Sequence, residues 1–216
     1  MLAGIFFALI AGLMWGLIFV GPLMVPDYPG TLQSMGRYLA FGLIALLLAW
    51  QDRHRLKKLS RRDWQEAFRL TLVGNLLYYA CLATAIQRTG APISTMIIGT
   101  LPVVISVSAN LFYGAEEGRL RWAKLCPALL LIAAGLVCVN VAELRTVGQQ
   151  FDLWRYLSGM ALAFAAVVCW TWYPLRNARW LRRHPIRPAT WATAQGVVTL
   201  PLAAVGYPVS YTHLTL

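Results

Sequence analysis

Apolar runs of roughly bilayer-crossing length recur from one end of the chain to the other. The first, "LAGIFFALIAGLMWGLIFVGPLMV" over Leu2–Val25, holds no charged residue at all. About 20 such residues in a helix span a hydrocarbon core of about 30 Å. Lipid offers the backbone no hydrogen-bond partner, so a run of this kind crosses as a helix. The runs do not alternate as barrel strands do. Hydrophobic residues make up 59% of the 216 and charged ones 12%, too little polar surface to cover a soluble core. The fold class expected is an all-α polytopic membrane protein.

Seven spans can be drawn, over about Leu2–Val25, Leu32–Trp50, Trp64–Ile86, Pro92–Tyr113, Leu125–Val141, Leu157–Leu175 and Thr190–Tyr207. The net charge of +11 sits in the loops between them. Every second loop is basic: Arg53, Arg55, Lys57, Lys58, Arg61 and Arg62; then Arg119, Arg121 and Lys124; then Arg176, Arg179, Arg182, Arg183 and Arg187. The other loops hold only Arg88, Arg145 and Arg155, so the count is fourteen against three. This asymmetry predicts a cytoplasmic N-terminus. It also explains the basic charge without nucleic acid, for which no binding signature is present. Cys81, Cys126, Cys138 and Cys169 lie in apolar runs without C-x-x-C spacing and are expected to be buried small hydrophobes. His54, His184 and His213 are scattered, so neither a metal site nor a cofactor is expected. The first span lacks a basic flank and a small-x-small cleavage site, and is expected to be retained.

An internal repeat joins the first and sixth spans. Gly4, Ala8, Ala11 and Trp15 match Gly159, Ala163, Ala166 and Trp170 at a constant shift of 155. Each set lies on one helix face, as a stripe of small residues that ends in tryptophan. Five spans separate the two starts, so the second copy runs the opposite way through the membrane. Inverted repeats of an odd number of spans are a plan of secondary transporters.

Several local patterns add to the repeat: "AGLMWG" around Trp15, "MGRYLAFGLIALLL" with Arg37, "TLPVVISVSANLFYGAEEGRL" with Pro102, Glu116 and Glu117, and "LLLIAAGLVCVN". In this order the chain resembles the drug/metabolite transporter superfamily, EamA-type, over about residues 1–208. The resemblance implies a five-plus-five inverted-repeat transporter fold in a bacterial inner membrane, here cut after about seven transmembrane helices. On this plan residues 1–141 are the first five-helix repeat, 142–156 an extracytoplasmic linker, and 157–208 the first two helices of the second repeat. Residues 209–216, "VSYTHLTL", match the in-frame translation of a transposase-type sequencing adaptor and are expected to be an assembly artefact. About three spans are then expected to be absent, and with them half of the cavity wall, so this length of chain is expected not to transport by itself. The resemblance also implies export of small organic metabolites by alternating access.

Polar and aromatic groups inside the spans are the natural site candidates, because lipid gives them no partner. Asn75 and Tyr79 share a helix face with Tyr78 beside it; this face either lines a solute cavity or bonds between helices. Thr95, Gly99, Pro102, Ser106 and Asn110 form one stripe, with Pro102 as a helix kink that frees a carbonyl. Solute contact at Thr95 and Ser106 competes with simple packing. Trp15 and Trp170 are matched aromatics that flank the expected cavity, or belong to an interfacial belt. Trp172 and Tyr173 fit the belt better. Arg37, deep in the second span, either snorkels outward or pairs with an anionic solute at the outer mouth. Glu116 and Glu117 are expected at the cytoplasmic end of the fourth span. No Asp or Glu lies at the middle of a span, which leaves a coupling ion unassigned. The expected partners are a small-molecule solute and the lipid bilayer, and a homodimer is left open.

An intramembrane enzyme is disfavoured, since neither G-x-S-x-G nor H-E-x-x-H occurs. A seven-span receptor or scaffold is the alternative, and it requires the 155-residue repeat to be accidental. Orientation is checked by reporter fusion. Alkaline phosphatase fused after Gly90 is expected to be active and fused after Lys58 inactive; the reverse pattern overturns the assignment of sides.

Overall fold

The computed structural model describes residues 2–114, 122–144 and 152–212. These residues form helices and no strand. In chain order they are α1 (Leu2–Met24), α2 (Gly30–Gln51), a short α3 (Arg53–Leu56), α4 (Arg61–Thr71), a π-helical segment (Leu72–Leu77), α5 (Tyr78–Thr89), α6 (Ala91–Gly99), α7 (Leu101–Phe112), α8 (Trp122–Leu144), α9 (Leu153–Arg183) and α10 (Pro188–Thr212). Among the described residues, five stretches are long and apolar enough to cross a membrane: Gly4–Met24, Gly30–Gln51, Arg61–Thr89, Ala91–Phe112 and Leu153–Arg183. The expected fifth and seventh spans fall on α8 and α10, which are helical but are not among these five. α10 differs in character, because Thr190, Thr193, Gln195 and Thr199 on it are all buried.

Helix ends follow local chemistry. Ser60 and Asp63 cap α4 reciprocally: the Ser60 hydroxyl accepts from the Asp63 amide, and the Asp63 carboxylate accepts from the Ser60 amide. α5 ends at Gly90, whose φ of 84° lies where glycine alone is unstrained. The fourth apolar run is broken into α6 and α7 at Thr100, two residues before Pro102. Proline has no amide hydrogen to bond back four residues and fits the first turn of a new helix. The Thr100 hydroxyl bonds the Ile97 carbonyl at 2.6 Å across the break.

α5 is the centre of the bundle, with α9 and α2 against it and α1 and α6 flanking. The α9 small-residue stripe makes this close approach: Ala163 and Ala166 are fully buried, and a Cβ on Gly159 would stand 2.4 Å from Thr89 Cγ2. On α1 the described members of the matching stripe are less packed. Ala11 is exposed, and a Cβ on Gly4 or Gly12 would meet nothing within 4 Å. Gly4 and Ala11 thus lack the close neighbours that Gly159 and Ala166 have. α10 lies along α2, and Gly196 on it packs on Ala45.

The π-helical segment carries the tightest contact. A Cβ on Gly74 would fall 2.1 Å from Tyr173 Cδ2, so only glycine admits that ring. Tyr173 is half-buried there; it stacks on Trp170 and donates to Gln195 Oε1 at 3.0 Å. Trp172 packs with the cluster around Trp191 and faces the Arg176 guanidinium at 5.4 Å. The cysteine expectation holds for half the set: Cys81 and Cys169 are buried, whereas Cys126 and Cys138 on α8 are exposed. An apolar run in a membrane helix has a lipid face as well as a packed one, and hydropathy does not separate them. Glu116, Glu117, Arg119 and Arg121 lie outside the described residues.

Two outcomes follow from these contacts. Gly74→Val is expected to cost about 1–3 kcal/mol by overpacking, read as a lower melting temperature in detergent, whereas Gly12→Ala is expected to be neutral. Equal effects at the two sites would contradict the packing described. The second concerns Asp52, which follows α2 and accepts hydrogen bonds from Thr190 on α10 and from Arg55 at 2.9 Å. The Thr190 hydroxyl, foremost, holds this carboxyl below its ordinary range. A depressed carboxyl stabilises the fold above its unfolded value of about 3.9 and loses that contribution as pH falls through the lower folded value. Thr190→Val is therefore expected to flatten the acid-side fall in melting temperature, with little change in its slope near pH 9.

Candidate functional site

Aromatic rings from four helices converge on one basic group. α2 supplies Arg37 and Tyr38, α5 supplies Tyr78 and Tyr79, α9 supplies Trp170 and Tyr173, and α1 supplies Trp15. The Arg37 guanidinium lies 4.8 Å from the Tyr79 ring centre and 5.9 Å from that of Tyr38. Both contacts are within cation–π range. Tyr38 and Tyr79 meet edge to face at 6.3 Å. Tyr78 packs on Trp170 at 4.5 Å, and Trp170 stacks on Tyr173 at 5.3 Å. Rings so placed form a continuous wall from α2 through α5 to α9.

Arg37 is seven residues inside α2, about 10 Å along the axis from its start. Among the described residues no carboxylate lies within ion-pair distance of it. Its side chain is exposed beside the rings. A cation at this depth without an acidic partner is a functional-site signal in a membrane helix. Tyr78 supplies a second signal. It is 1% exposed, and its hydroxyl has no hydrogen-bond partner among the described residues, with the Trp15 indole facing it short of hydrogen-bond geometry. Buried polar atoms rarely go unpaired.

The structure thus brings Trp15, Arg37, Tyr78, Tyr79 and Trp170 to one place and scatters the others. Trp15 is 41% exposed and makes an edge contact with Phe19 at 6.1 Å. Asn75 lies within the π-helical segment, half-buried. π-segments change the register of faces and recur at functional sites. Thr95 is exposed on α6 and Ser106 half-buried on α7, on opposite sides of the Thr100 break. Thr100 keeps helical dihedrals, so the two segments form one span kinked beside Pro102.

A polar network at the other end of α4 and α9 was not anticipated. Glu66 is 2% exposed and receives the Arg176 guanidinium through Nε and Nη2, the latter at 2.9 Å. Trp180 Nε1 donates to Asp63 at 3.1 Å. Asn177 Oδ1 accepts from Trp191 Nε1 at 2.7 Å and from Gln195 Nε2 at 3.0 Å. Arg176 had been assigned to a loop, but α9 continues to Arg183. The Ser60-x-x-Asp63 capping signature was available in the sequence to place the start of α4 earlier. No pattern in either strand of sequence links Glu66 to a residue 110 positions away.

Among the described residues no cluster of His, Cys, Asp and Glu is placed to hold a metal ion. A profile of the EamA-like transporter family matches residues 2–141. The chain is 64% identical over 211 residues to inner membrane protein YtfF of Escherichia coli strain K12, covering 97% of this chain and 66% of that protein. A WAT1-related chloroplast protein of Arabidopsis thaliana is 27% identical over 150 residues, 66% of this chain and 32% of that one. The chain thus spans less than two thirds of the length of either relative. No solved structure matches. The family match extends from α1 almost to the end of α8 and includes Arg37, Tyr78 and Tyr79, and the chain belongs to the EamA-like transporter family.

Proposed function

We propose that the chain is the greater part of a secondary carrier that exports small organic metabolites across the bacterial inner membrane. Its two inverted halves would alternate access to a central site between α2, α5 and α9. The observation that carries this reading is Arg37, an intramembrane cation held over Tyr79 and Tyr38 without a carboxylate at ion-pair distance among the described residues. Such a group suits an organic anion, with the carboxylate on the guanidinium and a flat body on the rings of Tyr79, Tyr78 and Trp170. The Tyr78 hydroxyl offers the solute one further polar contact. The E. coli relative is named an inner membrane protein, which supports the location.

The Glu66–Arg176 pair joins α4 to α9 at the opposite end of these helices. Glu66 is buried and Arg176 half-buried, so the pair leaves a buried carboxylate uncompensated if the arginine withdraws, and it serves to hold one arrangement of two helices. It fits a contact that is closed in one access state and open in the other. The seven-span scaffold reading gains no such support, because it leaves Arg37 without a role.

The test is flux by the complete reading frame in membrane vesicles loaded with a panel of aromatic carboxylic acids and their uncharged amides. Export of the acids above the amides is expected. Arg37→Gln is expected to lower that flux about thirtyfold, the loss of one charge-assisted hydrogen bond, while Arg37→Lys retains part of it. Flux of the acids that is indifferent to Arg37→Gln would sink the proposed site.

A further inference from the structure

A groove runs between α2 and the first turns of α10, with a volume of about 550 Å³. Its wall is apolar: Phe41, Ile44 and Leu48 follow one face of α2 and are exposed. Its floor is tight, because Ala45 of α2 packs on Gly196 of α10. The polar groups along the floor are satisfied within the protein. Thr193 bonds the Ala189 carbonyl at 3.0 Å, and Thr190 bonds Asp52. Nothing along this stretch calls for a polar ligand.

The far end of the groove is different. It opens into a second hollow of about 440 Å³, and the two share Arg55, Arg187 and Thr190. Lys58 also lines the second hollow. Acidic groups are present but engaged: Asp52 is paired with Arg55 at 2.9 Å, and Asp63 serves the α4 cap and Trp180. His184 is stacked on Trp180. Lys58 and Arg187 are both exposed, and neither has a carboxylate within ion-pair distance among the described residues. Arg187 also lies within electrostatic reach of Asp52.

The geometry points to one anionic phospholipid as the occupant, with its phosphate between Lys58 and Arg187 and an acyl chain along Phe41, Ile44 and Leu48. From Phe41 to Gln51 the helix rises about 15 Å. That is about half of a 30 Å hydrocarbon core, the depth of one leaflet. A soluble anion would use the cations and leave the groove empty. A zwitterionic lipid would fill the groove and bring its own cation to the two basic residues. Only an anionic lipid matches both ends, and basic pockets at membrane-helix ends suit such headgroups. The site is independent of the proposed central solute site.

The test is lipid retention by the purified chain in mixed micelles, measured by native mass spectrometry with phosphatidylglycerol, phosphatidylcholine and inorganic phosphate as separate probes. Phosphatidylglycerol is expected to bind about tenfold more tightly than phosphatidylcholine. The preference is expected to vanish in the Lys58→Gln/Arg187→Gln double variant. Ala192→Trp, which fills the groove and leaves both cations, is expected to lower phosphatidylglycerol retention as much. Equal retention of the two lipids by the unaltered chain would overturn the proposal. So would inorganic phosphate displacing the lipid at millimolar concentration, or retention unchanged in both variants. Should either variant fail to fold, a photoreactive acyl chain on phosphatidylglycerol decides the matter in the unaltered chain. Crosslinks at Ile44 or Leu48 support the site, and crosslinks spread over α1 and α8 refute it.

Discussion

The close approach of α9 to α5 is the contact on which the rest of the bundle depends. Lipid tails are as apolar as leucine, so membrane helices gain little by hiding leucine from them. They gain by packing, and packing needs small residues. Gly159, Ala163 and Ala166 let the two backbones come together, and the stripe ends where Trp170 projects onto Tyr78. Tyr173 then fills the space that Gly74 leaves in the π-helical segment. The aromatic wall beside Arg37 is a consequence of this packing and not a separate invention.

Polar chemistry is distributed at the ends and at one point within. At the end of α4 and α9, Glu66, Arg176, Asp63, Trp180, Asn177, Trp191 and Gln195 satisfy one another. Removing Arg176 would leave the buried Glu66 carboxylate uncompensated, so the network favours one arrangement. Within the span, Arg37 has rings and no carboxylate at ion-pair distance among the described residues. The contrast separates a charge paired with a carboxylate from a charge packed on aromatic rings. The basic lip at Lys58 and Arg187 is a third use, where cations meet the surface beside an apolar groove.

Part of the candidate site was legible before any coordinates. Arg37, Tyr78, Tyr79 and Trp170 stand out because polar and aromatic groups inside apolar runs are few. Their meeting was not legible, since helix periodicity gives a face but not the neighbour that face meets. Trp15 illustrates the point: the repeat pairs it with Trp170 by sequence, yet Gly159 and Ala166 are packed while Gly4 and Ala11 are exposed. Tyr173 shows the same limit. Its closeness to the end of an apolar run suggests a belt, and only the gap at Gly74 draws the ring inward. The kink in the Thr95–Asn110 stripe is legible from Pro102, and the structure sets it at Thr100.

By itself the sequence determined that the chain is helical and that several of its helices can cross a bilayer. Hydropathy and the ban on unpaired backbone groups in lipid leave no other outcome. It also determined where α4 starts, through the Ser60–Asp63 cap, and where the fourth run breaks, beside Pro102. Tertiary structure alone decided which face of each helix is packed. It joined Glu66 to Arg176, seated Tyr173 on Gly74, and set Arg37 over the ring of Tyr79. Each of these contacts joins residues dozens of positions apart, and contacts of that range are set by how whole helices pack rather than by local propensity.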